Sequence, residues 1–203
     1  MKQTNTSSSP TPAASACQRC SARLGRSCCE ANDDEPLATL TLADVERIQA
    51  ATHRARNSFV QQEVFREVEA RAYEQLRPGW RGYFRGGTVR LTLARSQSAC
   101  VFFDRSSGCT LPSEVRPTAC LLYPFEPAEG GGWTLAVERE GSVADALASG
   151  EPRCLAVEEA AGRGALLRAF TLTAESLQAL GKRLRAEVRA HGAGKGSPGR
   201  HSA

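Results

Sequence analysis

The spacing of apolar residues changes several times along the chain. In "TLADVERIQAATHRA", Leu42, Val45, Ile48 and Ala51 recur at helical intervals behind Thr41 and Asp44, which stand at capping-box spacing. This predicts a helix over 42–55. A second start falls at Ser58 with Gln61 three residues on, and Val60, Val64, Phe65, Val68, Ala72 and Leu76 then share one face until Pro78-Gly79. Two helices are therefore expected before the central part of the chain. From Thr88 to Ala94 the period drops to two, with Val89, Leu91 and Leu93 alternating with polar residues as on a half-buried strand. "CVFFD" from Cys100 is expected to pair beside it, and "WTLAVE", 133–138, to form another strand after the Gly130–Gly132 loop. Beyond Cys154 the pattern is helical again, and a last helix from about Thr173 aligns Leu177, Leu180, Leu184 and Val188. The fold expected is α+β, a small compact domain with helices and a short antiparallel sheet around a cysteine-lined region.

The two ends do not share this patterning. Residues 1–15 are rich in Ser, Thr, Pro and Ala, and 191–203 read "HGAGKGSPGRHSA". Neither composition supports a core, so a disordered leader, a single domain over 16–190 and a disordered basic tail over 191–203 are expected. The net charge is +4, but 181–203 hold six Lys or Arg against one Glu, which leaves the remainder at −1. The basic excess is thus a local tail, and nucleic acid is not the expected partner. No apolar run is long enough for a signal peptide or a membrane span, so a cytoplasmic protein without membrane contact is expected.

That compartment changes how the eight cysteines are read. At 203 residues the chain can bury a core without crosslinks, and cytosolic thiols stay reduced, so clustered cysteines favour metal or redox chemistry over structural disulfides. Cys17 and Cys20 form a CxxC pair, in which a tight turn points two sulfurs at one ion. Cys28 and Cys29 are adjacent, so their side chains diverge and suit different metals or a multi-iron centre better than one tetrahedral ion. A vicinal disulfide between them is the bland alternative, and it would be strained. Cys100, Cys109, Cys120 and Cys154 are separated by eight, ten and thirty-three residues, too loosely for a local zinc turn. The fold must gather them, and Gly108 and Pro117 are candidate devices for turning the chain. All eight, Cys17, Cys20, Cys28, Cys29, Cys100, Cys109, Cys120 and Cys154, are candidate metal ligands. Unpaired core cysteines packing as small hydrophobes are the other alternative.

"CVFFDRSSGCTLPSEVRPTACLLYPF", 100–125, taken with "CQRC" and "CC", resembles the YkgJ-type cysteine-cluster family, described as a zinc- or iron-chelating domain. The resemblance covers roughly 17–160. It includes the "LT..D" phrase at Leu40, Thr41 and Asp44, and "RPxxC...YPF" at Arg116-Pro117, Cys120 and Tyr123-Pro124-Phe125. The chain departs from the family pattern in the seven residues between Cys20 and Cys28 and in Leu121, where an arginine is common. Cys154 corresponds to a family cysteine before a Gly-containing turn, echoed here by Gly162–Gly164. The resemblance implies metal chelation. Through a similar cluster in flagellin lysine methylases it also extends to an iron-sulfur redox or group-transfer enzyme, although the chain lacks a Gly-rich cofactor loop after a strand.

The expected function is therefore metal binding, with zinc or an iron-sulfur cluster held by clustered cysteines; sulfur donors suit both. Arg116 is a candidate second partner of the site, since four thiolates on a divalent ion leave negative charge for a guanidinium to relieve, with Arg19 and Arg153 behind it. Pro117 and Pro124 are read as loop-shaping residues, and Tyr123 and Phe125 as core. His53, His191 and His201 lack partners at ligand spacing, so all-sulfur ligation is expected. No hydrolase nucleophile motif or P-loop is present.

Overall fold

A computed structural model describes residues 19, 20, 23, 27–30, 37–136 and 154–194. The expected leader, Cys17, Arg153, His201 and residues 137–138 of the expected last strand lie outside the described residues.

The helix after Thr41 forms as the sequence predicts. α1 spans Leu42–Thr52, and the capping box is complete: the Asp44 amide donates to Thr41 Oγ1 at 3.1 Å, and the Thr41 amide donates to Asp44 Oδ2 at 2.9 Å. Its end is set by His53 in the left-handed conformation, whose amide donates to the Gln49 carbonyl.

The second expected helix is split. Val60–Val64 is a strand, β2, and the helix α2 begins only at Glu67 and ends at Leu76. Val60, Gln62 and Val64 pair in register with Leu93, Leu91 and Val89 of β3 (Val89–Leu93), so a stretch with valine at both ends and a waiting partner takes the strand period. The actual start signal of α2 is Arg66 with Glu69: the Arg66 amide donates to Glu69 Oε2 at 2.8 Å. The face expected to be buried is largely outward, with Val64, Val68 and Leu76 exposed by 79%, 65% and 68%.

β3 is the centre of a three-stranded antiparallel sheet, flanked by β1 (Thr39–Leu40) and β2. Both of its edges are therefore taken, and the "CVFFD" segment pairs elsewhere, contrary to the sequence expectation. β4 (Arg95–Ser96) and β5 (Ala99–Cys100) form one small hairpin, turning at Gln97 with φ 58. β6 (Phe103–Asp104) and β7 (Gly108–Cys109) form a second. β8 (Phe125–Pro127) pairs with β9 (Trp133–Leu135) across the glycine loop. The remaining helices are α3 (Thr118–Leu122), α4 (Leu155–Glu159), α5 (Arg163–Ala169) and α6 (Ala174–Gly194). The architecture is thus mixed helix and small antiparallel sheets, an α+β arrangement. Among the described residues, no helix is long and apolar enough to cross a membrane.

Two apolar clusters fill it. One gathers α1 and the three-stranded sheet around Leu40, Ile48, Phe59, Leu91 and Phe102; the other lies under α6 around Trp80, Phe125, Leu177, Leu184 and Val188. Tyr83 joins them: it belongs to the second cluster, yet its hydroxyl donates to the Leu40 carbonyl at 2.8 Å and accepts the Leu91 amide at 2.9 Å. α6 carries the expected stripe and continues past residue 191, where a tail was expected. His191 is buried, stacks on Tyr83 with ring centres 4.0 Å apart, and accepts the Leu42 amide on Nδ1 at 3.1 Å. These contacts make the last turn of α6 part of the core.

Candidate functional site

The central cysteines are presented by short elements that cannot hold themselves. Cys29 lies in a single 3-10 turn, Cys28–Glu30, closed on itself where the Ser27 amide donates to the buried Glu30 carboxylate at 3.0 Å. Arg105 from the β6–β7 hairpin donates to the same carboxylate at 2.8 Å, so the adjacent-cysteine turn is tied to the strand pair that carries Cys109. Cys100 ends β5, which packs directly on that turn. Cys109 ends β7 immediately after Gly108, whose φ of 80 is disfavoured for a residue with a side chain. Cys120 lies in the short helix α3, opened by Pro117. The two turning devices expected from the sequence are therefore in place.

These four thiols form one electrostatic group. In each of the six pairs among Cys29, Cys100, Cys109 and Cys120, charge on one sulfur opposes ionisation of the other. Burial pushes the Cys100 thiol up to about 12, and it raises Cys109 as well. Cys120 is raised well above its ordinary value, first by loss of hydration and then by Cys29, Cys100, Cys109 and Asp44. Cys120 as a residue is nonetheless exposed. Cys29 goes the other way: a hydrogen bond from Cys28 lowers it, against its own burial, and Arg116 adds a positive charge nearby.

Arg116 is a cation of this region, beside Arg54, whose charge acts on Cys100, and Arg105. The Arg116 Nε donates to the Leu111 carbonyl at 3.0 Å and Nη2 to the Cys109 carbonyl at 3.4 Å, and its charge favours the thiolate at both Cys29 and Cys109.

The other cysteines are placed differently. Cys28 is exposed beside Cys29. Cys20 is buried, and Arg19 next to it makes a two-pronged contact with Glu159 at 3.0 and 2.8 Å, which brings the N-terminal cysteine segment to the helix that follows Cys154. Cys154 itself packs against the apolar cluster under α6 rather than the one containing Cys100. Cys29, Cys100, Cys109 and Cys120 are free thiols. As placed, no three His, Cys, Asp or Glu side chains among the described residues converge closely enough to hold a metal ion. The four-thiol group nonetheless has the donor chemistry that zinc or an iron-sulfur cluster takes.

Sequence reasoning missed what fixes α3. Asp44 reads as a helix cap, but only its Oδ2 serves that purpose; its Oδ1 accepts the Thr118 amide at 2.9 Å. The Thr118 hydroxyl donates to Glu187 Oε2 of α6 at 2.7 Å, and Glu187 Oε1 accepts from Arg47 at 3.1 Å and Arg183 at 2.9 Å. Arg47 also pairs with Asp44. Burial, then Glu187, raises Asp44, opposed by the Thr41 and Thr118 amides and by Arg47. The signal was the Thr two positions before Cys120, which has no meaning without the third dimension.

No family model matches the chain, and no curated protein or solved structure matches it significantly, so the likeness to the YkgJ-type family rests on its motif residues alone.

Proposed function

We propose that this protein binds metal through its clustered cysteines, as a zinc site or an iron-sulfur cluster, with Cys29, Cys100, Cys109 and Cys120 as the principal ligand set. The observation that carries the reading is that the fold brings Cys29, Cys100, Cys109 and Cys120, which lie 9 to 91 residues apart in sequence on a turn, two hairpins and a helix, near enough for charge on each to oppose ionisation of the others. Burial raises the energy of the Cys100, Cys109 and Cys120 thiolates, and a bound cation is what relieves it. Metal binding of this kind is coupled to completion of the site. Arg116 supplies the positive charge that an all-thiolate centre requires around it. Cys28, Cys20, Cys17 and Cys154 are the remaining thiols for a second centre. The exposure of Cys120 favours the alternative of an iron-sulfur centre that a substrate or redox partner can approach, the class to which the methylase likeness points.

Replacing Cys120 by Ser removes one donor from this set. The variant purified in parallel with the parent is expected to lose bound metal and to melt at lower temperature; metal content equal to that of the parent would count against the site as drawn.

A further inference from the structure

Asp44 is fully buried, and its two carboxylate oxygens do separate work. Oδ2 takes the Thr41 amide and hydroxyl, both at 2.9 Å, and closes the N-terminus of α1. Oδ1 takes the Thr118 amide at 2.9 Å, across 74 residues of sequence. Thr118 is the first residue of α3, and the amides of a helix's first turn have no partner within the helix. A five-residue helix has little stability of its own, so its direction is decided by what holds its first turn. Cys120 follows two residues later, close enough for the Asp44 charge to act on its thiol. Glu187 holds the Thr118 side chain from α6, and Arg47 bridges the two carboxylates.

We propose that Asp44 is a positioning residue for Cys120: by binding the Thr118 amide it sets the first turn of α3 and thereby presents the Cys120 sulfur to Cys29, Cys100 and Cys109. The role concerns thiol placement, and only its consequence for metal rests on the function proposed above. Helix capping alone is the competing account, and it ends at α1.

The test uses the full chain. Amide hydrogen exchange of the parent protein requires no variant: the Thr118 amide is expected to be protected, although first-turn amides that face water are not, and exchange at the unprotected rate overturns the contact. Iodoacetamide labelling of the metal-free protein, read by peptide mass, then compares Asp44→Asn with Thr41→Val. Thr41→Val removes the hydroxyl that caps α1 and leaves the Asp44–Thr118 bond. Loss of one hydrogen bond to a charged acceptor corresponds to about tenfold, so Asp44→Asn is expected to change the Cys120 labelling rate about tenfold relative to Cys154, with Thr41→Val near the parent. Equal effects of the two substitutions, or no change at Cys120 in Asp44→Asn, overturn the role. Cobalt(II) added to the same proteins reads the consequence for the site: Asp44→Asn is expected to alter the thiolate-to-cobalt absorption of the parent. If the parent takes up no cobalt while Cys120 labelling still responds to Asp44→Asn, the positioning role stands and the metal reading falls.

Discussion

Asp104 shows how a single exposed side chain can fix one of the cysteine-bearing hairpins. Its Oδ1 accepts from the Ser106 and Ser107 amides, both at 2.9 Å, and from both serine hydroxyls, closing the turn between β6 and β7. These bonds, the Ser106 hydroxyl foremost, hold its carboxyl down to about 2. An unfolded Asp titrates at about 3.9, so the contribution of this turn is complete above that value and is lost as pH falls toward the folded one. A carbon-detected titration of the Asp104 carboxyl is expected to show a midpoint near 2. A midpoint at the ordinary value for aspartate would mean that the turn is not formed. The residues bearing chemistry were legible at this scale because thiols announce themselves by type. Their supports were not: Glu30, Arg105 and Thr118 are ordinary polar residues whose roles come from partners 75 and 74 positions away.

Among the elements, α1 was readable because its start, its apolar spacing and its capping box are all local. The segment after it was misread because Val60, Val64, Val68, Ala72 and Leu76 satisfy a helical period over a stretch where β3 offers a strand partner for the first half. Local pattern cannot register a competitor that lies 25 or more residues away. The end of α6 failed for a related reason, since a Gly-rich composition reads as tail. Gly192 is there because the helix passes close to another backbone: a Cβ at this position would clash with the Gly82 carbonyl oxygen. Gly192→Ala therefore forces α6 away from the core. A loss of about 1–3 kcal/mol is expected from such overpacking, measured by thermal or urea unfolding. An unchanged midpoint would show that the last turn of α6 does not dock as described.

At the scale of the whole molecule, the two apolar clusters and the polar contacts between them explain how dispersed cysteines come together. The sequence indicated that Cys100, Cys109 and Cys120 had to be gathered by the fold, and Gly108 and Pro117 indicated where the chain turns. It did not indicate that α6, through Glu187 and His191, braces the starts of both α3 and α1, so that the C-terminal helix supports the thiol region. Nor did it separate Cys154, under α6, from the group around Cys100. The central claim is that this gathered group binds metal. Its most direct test is anaerobic purification of the full chain, followed by quantification of zinc, iron and acid-labile sulfide with a visible absorption spectrum of the same sample. The account predicts at least one bound metal equivalent per chain, either colourless zinc or iron with sulfide and visible absorption. A folded protein with reduced thiols and neither metal would contradict it.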